Sequence, residues 1–574
     1  MSMETYIALT ALQTHWGRPE DTVMLGEWCR SCHENISYLH YSDKVISRRW
    51  LDPDELERAA WYCLETEHKV APVLAEHLIQ ELKIDLDSIA LKRIFWSWLL
   101  TFIHVVYDRY QVIEDAVAYN SDACFITAPP EASVLPAKSP LDGLWPLAHG
   151  ASVDRNNLVL FSQIISFFGL RQKVVPIPKS YSPSIVHWHR WNKSIKGHIR
   201  QIPLYAKMFF YRNSFYYYSN LYTSVTQKYS SWIFGELMPP TQGVRIRHDL
   251  RGKMLDYGTC DFTRLLAKLI PIYIPWGVCE ALPGLIEWAK KHPARFAKFF
   301  VTAIGGQVNT PLAVLANIAK RPLIVVDHSG GAAMFLRNNP IPELDKFTSS
   351  TGFDAVRLRR ELPSPHLSRK LPDIPVRLPP VLVCNEVYRY PIRFMSGFMP
   401  SHAKQYHQAR IDFLRAIPAA LAPVVRLYFM EVGWGVQSVL QEEFPYLHFQ
   451  DPHKIKIDYV YAASSLIICD HPLSTLHFTL ARNLPVIFFS AAGTYDYNER
   501  GRRVMGIMER AKICHSTPKS AAQHYCSVYG DVSAWWNSGD VQDAVNAYRD
   551  KYVKMSDDWQ RDWNLLLDNA SAEN

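Results

Sequence analysis

The sequence predicts an α/β protein with two Rossmann-like domains that face a central cleft. In the last third of the chain, short apolar runs alternate with longer helical patterns. Buried runs of four or five residues between helices are typical of parallel strands. A proline-rich stretch precedes this region, and it separates the regular half of the chain from a less regular first half.

The length sets the expected domain division. The chain has 574 residues, which suits two or three domains of about 100–200 residues each. We expect an N-terminal domain over residues 1–365, a linker over 366–380, a C-terminal domain over 381–556 and a polar tail over 557–574. Residues 185–265 of the first domain are predicted to form a helical insertion, because this region opens with closely spaced aromatic and basic side chains.

Each predicted element follows from a local pattern. In the first half the expected strands are 6–10, 23–25, 158–161, 299–301 and 323–326, and the expected long helices are 53–82 and 89–118. In the second half the expected strands are 381–384, 424–428, 466–469 and 486–489. The helices expected there are 401–421, 473–483, 499–511, 521–529 and 541–552.

Composition excludes several classes of protein. The formal net charge is +7, too dilute for a chain that follows a nucleic-acid backbone. A hydrophobic content of 48% with 20% charged residues excludes a mostly disordered chain. The longest apolar stretch, residues 94–107, is too short to span a bilayer. The opening residues lack the basic start of a secretory signal, and ten cysteines without a framework spacing indicate reduced thiols. We therefore expect a soluble, cytoplasmic protein.

The strongest candidate site follows the predicted strand 466–469. Ligands of open parallel sheets bind beyond the carboxyl ends of the strands. Here the turn DHPLST leads into a helix, and a helix N-terminus attracts phosphate through its free amides and its dipole. Ser474 and Thr475 are predicted at that terminus, with His471 as a further donor to the same anion. In the structural alternative, Ser474 only caps the helix and His471 packs against the turn.

Two strand-end loops of the first half are candidates for catalysis. The motif DHSGG follows strand 323–326, and its Asp327 and His328 could form an acid/base pair or a nucleophile with its neighbour. Gly330 and Gly331 would let the backbone approach a ligand closely. Glu27 follows strand 23–25 and is a candidate general base or hydroxyl ligand. The structural alternatives are an ordinary glycine turn and a carboxylate that caps the next helix.

Three further residues are candidates for contacting a ligand, and two motifs are candidates for binding a metal ion. Arg393, with Ser396 and Gly397, follows the first strand of the second half, and Arg393 could pair with a phosphate or a sugar carboxylate. The Asp-x-Asp pairs at 52–54 and 85–87 lie between helical stretches and not after buried strands, so we expect no obligatory metal.

Several sequence blocks spread over nearly the whole chain carry a resemblance to a known family. They are LGEWCR (25–30), WSWLLTFIHVVYDRY (96–110), VVDHSGG (325–331), RLYFMEVGWG (426–435) and DHPLSTLHFTLARNLPVIFF (470–489). With these blocks the sequence resembles the family of bacterial surface-carbohydrate transferases from polysaccharide and nonulosonic-acid gene clusters. That family is related to the GT-B-type transferases that move Kdo from CMP-Kdo.

The resemblance implies a GT-B fold in which the two halves of the chain have different roles. A GT-B protein would bind a nucleotide sugar in its C-terminal half, and its N-terminal half would bind a glycan acceptor and carry the catalytic groups. With that division, the strand-end candidates and the matched blocks together give His328, Asp327 and Glu27 for catalysis, His471, Ser474, Thr475, Arg393, Ser396 and Gly397 for the nucleotide, and Gly330, Gly331, Arg30 and Asn309 for the substrate loop. The chain departs from the family pattern at Asp327, at Asn309 and at the pair His471-Pro472.

The expected function is therefore metal-independent transfer of an acidic sugar, Kdo or a nonulosonic acid, from a CMP donor to a surface glycan. The CMP-sugar is a co-substrate, no cofactor is expected, and the acceptor is a glycan or a lipid-linked glycan. The aromatic and basic segment 185–229 suggests weak peripheral association with the inner membrane. Two alternatives stay open: a UDP-sugar transferase or epimerase of the same fold, and a non-catalytic nucleotide- or glycan-binding protein.

Overall fold

Helices and parallel strands make up the fold, which confirms the α/β class. The computed structural model describes residues 5–17, 21–30, 45–129, 153–177, 208, 216–219, 232–235, 237, 247–304, 310–327, 363–375, 378–394, 399–429, 432–491 and 493–572. Within these residues the strands form three parallel sheets, two in the first half of the chain and one in the second.

The elements are numbered along the chain. The strands are β1 (Tyr6–Ala8), β2 (Thr22–Met24), β3 (Cys124–Thr127), β4 (Gln172–Val174), β5 (Tyr216–Ser219), β6 (Trp232–Gly235), β7 (Phe299–Ile304), β8 (Leu323–Asp327), β9 (Val381–Val383), β10 (Val424–Arg426), β11 (Ile467–Cys469), β12 (Val486–Phe489) and β13 (Cys514–His515). The helices of the first half are α1 (Pro53–Leu82), α2 (Ser88–Tyr119), α3 (Asp154–Phe167), α4 (His248–Arg251), α5 (Asp261–Tyr273), α6 (Leu282–Lys291) and α7 (Thr310–Ala319). Those of the second half are α8 (Ala403–Arg415), α9 (Val436–Glu443), α10 (Ile457–Ala463), α11 (Ser474–Ala481), α12 (Glu499–Arg510), α13 (Pro518–Val528), α14 (Val532–Trp536), α15 (Gly539–Tyr552) and α16 (Trp559–Ala572).

The strand orders place the candidate loops. The first sheet runs β2-β1-β3-β4, the second β6-β5-β7-β8 and the third β10-β9-β11-β12-β13. In the third sheet Val383 pairs with Cys469, and Cys469 pairs with Phe488, so neighbouring strands end at the same level. The loops after β9 and β11 therefore leave the sheet side by side.

Two expectations for the first half are wrong. Residues 158–161 lie inside helix α3, because the run LVLF belongs to a longer buried apolar pattern that periodicity alone cannot separate from a strand. The predicted insertion is not helical throughout, since it contains β5 and β6. Aromatic side chains favour strands, and Tyr217 and Ile233, which pair across these two strands, are fully buried.

A helix occupies most of the stretch expected to be a polar tail. Along α16 the side chains of Trp559, Trp563 and Leu567 are buried, and the Trp563 indole N–H donates to the carbonyl of Pro363 at 2.9 Å. On its outer side Asp568 pairs with Lys298 of the first half at 3.0 Å. A few large apolar side chains at helical spacing thus fix a segment whose other residues are polar.

The two long helices of the first half begin and end close to the expected positions. Asp52 caps α1 by accepting from the Asp54 amide, and Asp87 caps α2 by accepting from the Ala90 amide at 2.7 Å. Among the described residues no single helix is both long and apolar enough to cross a membrane. The segments Ser88–Trp96 and Trp98–Tyr119, bent by 56°, meet that test together by length and composition only.

One segment joins the two halves. Residues 384–394, which we call the crossing segment, leave the carboxyl end of β9 and enter the first half of the molecule. Tyr390 and Phe394 are buried in the same apolar core as the first-half helices, and Met399 follows them there. The chain then returns to the third sheet through α8, whose side chains pack in the core of the second half.

Candidate active site

The site is built around Asp470, the first residue after β11. This carboxylate is buried, and each of its oxygens accepts from groups on other elements. Oδ1 accepts from the Asn385 amide at 3.1 Å and from the Tyr406 hydroxyl at 2.8 Å, and Oδ2 accepts from Arg410 Nε at 2.8 Å. The loops after β9 and β11 are thereby tied together and to helix α8.

A second buried acid lies beside the first. Glu386 is 2.6 Å from His407 Nε2 and 3.6 Å from Arg410 Nη1. Burial acts to raise the pKa of Glu386, but His407 and Arg410 outweigh it, so the pKa lies below its usual value. Arg410 therefore stands between two carboxylates, with its guanidinium fully buried. Such a fork is suited to holding two acids in fixed positions.

The structure places His471, Ser474 and Thr475 together at this edge. His471 is buried, with its Nδ1 3.0 Å from Asp470 Oδ1. Ser474 is the first residue of α11 and is half-buried, while Leu473 holds the capping position without a side-chain bond. The alternative in which Ser474 caps this helix is therefore wrong. Thr475 is buried, and its hydroxyl lies 3.3 Å from the Tyr461 hydroxyl.

Glu27 lies at the strand-end loop of the first sheet. It begins a short 3₁₀ helix, Glu27–Arg30, directly after β2 and is buried there. The neighbouring Trp28 donates its indole N–H to the Leu9 carbonyl at 3.0 Å, which fixes the loop against the end of β1. Of Arg30 the structure describes the backbone alone.

Arg389 of the crossing segment connects this loop to the second half. Its Nη1 and Nη2 donate to the two oxygens of Asp154 at 2.8 and 2.7 Å, and Nη2 also donates to the Trp28 carbonyl at 2.6 Å. Asp154, at the start of α3, also accepts from the Tyr390 hydroxyl at 2.5 Å. Asn385 and Arg389 are four residues apart, so their Cα atoms are at most about 14 Å apart. The Glu27 loop and the Asp470 edge therefore lie at the two ends of one short segment.

The loop after β10 packs onto the same segment. Trp434 donates its indole N–H to the Val387 carbonyl at 2.7 Å. Gly433 has φ +92°, and a Cβ there would lie 2.8 Å from Arg389 Cδ. Only glycine therefore combines this backbone conformation with such a close approach to the arginine. Sequence reasoning missed Asp470, Arg410, Asp154 and Arg389, although the motif VGWG gave a local signal of a tight turn.

Arg393 lies farther along the crossing segment and is half-buried. Its charge acts on His104 of α2: burial first, and then Arg393, lower the pKa of His104 to about 3. The Phe394 amide lies 3.3 Å from His104 Nδ1. The structure therefore places Arg393 beside the first-half helices, and its assignment to the nucleotide stays a prediction.

Several predicted site residues lie outside the described residues: His328, Gly330, Gly331, Asn309, Ser396 and Gly397. Asp327 ends β8 and pairs there with Ile304, but only its backbone is described. The catalytic and substrate-loop assignments at these positions therefore remain predictions.

No metal centre is found in the described part of the chain: no group of three or more His, Cys, Asp or Glu side chains there could hold an ion. An open groove on the first turns of α1 is lined by Asp54, Glu57, Arg58, Trp61, Tyr62 and Glu65. It shares no residue with the Asp470 edge.

A family model covers almost the whole chain. The model of the LIC12162 family transferase matches residues 5–567. The chain belongs to the LIC12162 family of transferases. No curated protein matches it significantly. The match spans all three sheets and the crossing segment, so both strand-end loops lie within the part that defines this transferase family.

Proposed function

We propose that this LIC12162 family transferase is a metal-independent GT-B glycosyltransferase. It would transfer an activated acidic sugar, Kdo or a nonulosonic acid, from a CMP donor to a bacterial surface glycan. The family match supports a transferase. The choice of a nucleotide sugar rests on one observation: a strand, a turn with His471, and a helix that begins at Ser474 follow one another at the carboxyl edge of a parallel sheet.

This edge suits the leaving group of such a reaction. A departing CMP carries a single phosphate, and negative charge develops on it as the sugar leaves. The first amides of α11 point out of the helix without partners in the helix, and the positive end of its dipole adds to their attraction for an anion. Ser474 begins this helix, and His471 precedes it by three residues in the same strand-end turn. Stabilisation of developing charge by fixed donors needs no metal ion.

The catalytic roles would come from the first half. Glu27 is buried at the strand-end loop joined by Arg389 to the second half, a position suited to contacting an acceptor hydroxyl. His328 and Asp327 would assist attack, either by activating that hydroxyl or by forming and resolving a sugar adduct, with Gly330, Gly331, Arg30 and Asn309 around the substrate. The loop DHSGG after the expected strand 323–326 carries the assignments of His328, Asp327, Gly330 and Gly331, and sequence resemblance carries those of Arg30 and Asn309.

We also propose that the protein works in the cytoplasm, in weak contact with the inner membrane. Nine cysteines lie in the described residues, and all are free thiols, as is usual in a reducing compartment. The basic and aromatic segment 185–229 supplies the attraction to anionic lipid. Lipid-linked acceptor glycans would be reached from that surface.

A thermal-shift screen with CMP, CDP, UMP, UDP and GDP tests the donor class. A ligand at 100 times its dissociation constant adds about 2.7 kcal/mol to stability. CMP should give the largest shift. Preference for UDP would favour a UDP-sugar transferase or epimerase. CMP binding without turnover of any CMP-sugar would favour a binding protein.

A double variant tests the place of the nucleotide. Ser474→Ala with Thr475→Ala should weaken CMP binding by about tenfold or more, since it removes the two hydroxyls at the N-terminus of α11, where we propose that the phosphate binds. The matched control is Asp531→Ala, which removes the cap of α14 in the same half and costs about 1 kcal/mol of stability. Equal CMP affinity in the double variant and the control would remove this assignment.

A further inference from the structure

Asp470 is held in a setting where it can only accept hydrogen bonds. Arg410, Tyr406 and the Asn385 amide all donate to it, and the carboxylate is buried. Burial acts to raise the pKa of Asp470, but Arg410 and His471 outweigh it and hold the pKa well below its usual value. The group is therefore a carboxylate at neutral pH.

A carboxylate at this position dictates the proton arrangement of His471. The contact between His471 Nδ1 and Asp470 Oδ1 is 3.0 Å, and a carboxylate oxygen cannot donate. Nδ1 must therefore carry a hydrogen in every protonation state that keeps this bond. In the neutral ring the remaining nitrogen, Nε2, is then a lone-pair acceptor. Within the part of the chain that the structure describes, Nε2 makes no hydrogen bond of its own.

An acceptor at Nε2 repels a phosphate oxygen, which is itself an acceptor. We propose that Asp470 is a positioning residue that fixes the Nδ1–H form of His471, so that His471 meets the donor phosphate only as an imidazolium and nucleotide binding takes up one proton. This inference rests on the proposed nucleotide site at this edge. It adds a coupling between donor binding and pH that the proposed reaction by itself does not require.

Other titratable groups face the same edge and must be separated from His471. Helix α8 contributes Tyr406, His407 and Arg410, the loop after β9 contributes Glu386, helix α10 contributes Tyr461, and the loop after β12 contributes Tyr495. The pKa of each of the three tyrosines is raised by burial, so these phenols stay neutral. His407, bonded to Glu386, is the imidazole among these groups, so the variants below must separate it from His471.

Calorimetric titration of the full chain tests the inference. The probe is the methyl ester of CMP, because a phosphodiester carries the single charge of the donor and does not titrate near neutral pH, whereas a phosphate monoester does. Measurements in buffers of different ionisation enthalpy report protons taken up per ligand bound. At pH values where the ligand-free protein holds a neutral His471 ring, we expect uptake of about one proton per ester bound, and an affinity that falls by about tenfold per pH unit.

Three variants assign that proton. His471→Gln should bind the ester more weakly and without proton uptake, whereas the exposed control His453→Gln should keep the uptake. In Asp470→Asn the neutral ring becomes free to carry its hydrogen on Nε2, so the ester should still bind but with a much smaller pH dependence. A loss of affinity in Asp470→Asn that is the same at every pH would show a merely structural role and overturn the inference. Uptake that persists in His471→Gln would also overturn it and point to His407.

A ligand-free measurement separates this inference from the proposed function. Ring ¹⁵N spectra of histidine-labelled protein distinguish the two neutral tautomers, and the His471 signal is the one lost in His471→Gln. The Nδ1–H form is expected, and the Nε2–H form would overturn the inference. Failure of CMP and its ester to bind at all would instead overturn the nucleotide site, whatever the tautomer. Binding of the ester without proton uptake would leave the proposed function standing and remove the coupling.

Discussion

The two strand-end sites are each organised by a buried acid, but the acids find their partners in different ways. Asp470 is neutralised by Arg410 of α8, within its own half of the molecule. Asp154 is neutralised by Arg389, which comes from the crossing segment 235 residues along the chain. The Asp470 edge is therefore paired within one half, whereas the Glu27 loop, which Trp28 fixes against the end of β1, also receives a hydrogen bond from the second half through Arg389.

The two edges should therefore respond differently to the loss of an arginine. A buried ion pair contributes modestly compared with apolar packing, but the loss of one partner leaves an uncompensated buried charge. At the Asp470 edge that penalty would fall on the carboxylate that contacts His471. At the Glu27 edge, loss of Arg389 would also weaken the connection between the two sites. Arg389 bonds to the Trp28 carbonyl on one side and contacts the loop of Gly433 on the other.

The largest effect is expected for Arg389→Ala. Removing the guanidinium leaves Asp154 buried with the Tyr390 hydroxyl and the Ala11 amide, and should lower the free energy of unfolding by about 3–5 kcal/mol. Urea denaturation measures this loss. The control Arg415→Ala removes an exposed pair with Glu443 and should cost less than about 1 kcal/mol. Similar losses in the two variants would show that the crossing segment is not held by its ion pair.

A pH effect should distinguish the first half from the second. Glu67 of α1 is buried, with the exposed His68 at 3.9 Å from its carboxylate and the charge of Lys92 too weak to offset the burial. Burial raises its pKa from 4.5 to about 8, in contrast to the lowered pKa of Asp470. Between pH 4.5 and about pH 8, Glu67 keeps a proton in the folded state that it has released in the unfolded state. The free energy of unfolding should therefore fall as pH rises through this range, by about 1.4 kcal/mol per pH unit at most.

Glu67→Gln removes that titration. Its free energy of unfolding should vary less than that of the wild type between pH 5 and about pH 8, as measured by denaturant melts at several pH values. The exposed acid Glu65, paired with Lys69, supplies the control Glu65→Gln, which should leave the wild-type slope intact. Parallel slopes for the wild type and Glu67→Gln would contradict the prediction.

Gly433→Ala should have an intermediate effect. The new Cβ would lie 2.8 Å from Arg389 Cδ at a residue with φ +92°, so both strain and contact oppose it. We expect a loss of about 1–3 kcal/mol. Gly493→Ala is the matched control: its φ is +74°, but nothing lies within 4 Å of the added atom. The difference between the two melting temperatures isolates the contact with Arg389, and equal shifts would show that this contact is unimportant.

The smallest effect is expected for metal removal. Neither edge offers three metal-ligating side chains within the described residues, so transfer activity measured with a CMP-sugar should be unchanged by EDTA. Complete loss of activity, with rescue by Mg²⁺ or Mn²⁺, would show that a metal joins one of the two sites.

Local patterns predicted the regular elements of the second half well. Residues 486–489 form β12 as expected, and β9, β10 and β11 lie inside the expected runs. The first half was predicted less well, because its buried runs occur in helices as well as in strands: LVLF lies in α3, whereas YYYS forms β5. A short apolar run indicates that the segment is buried. Its periodicity distinguishes a helix from a strand only when the run is long enough.

Local sequence patterns are sufficient to predict the α/β class, most strands of the third sheet, and the turn that carries His471 and Ser474 to its edge. These features depend on hydrophobic period and on short turns, which residues close in the chain specify. Tertiary contacts, by contrast, bring Asp470 to Arg410 and Asp154 to Arg389, and they let the crossing segment join the two edges. A buried charge needs a partner of opposite charge. Here that partner lies far away in the sequence, so no local pattern predicts which residue it is.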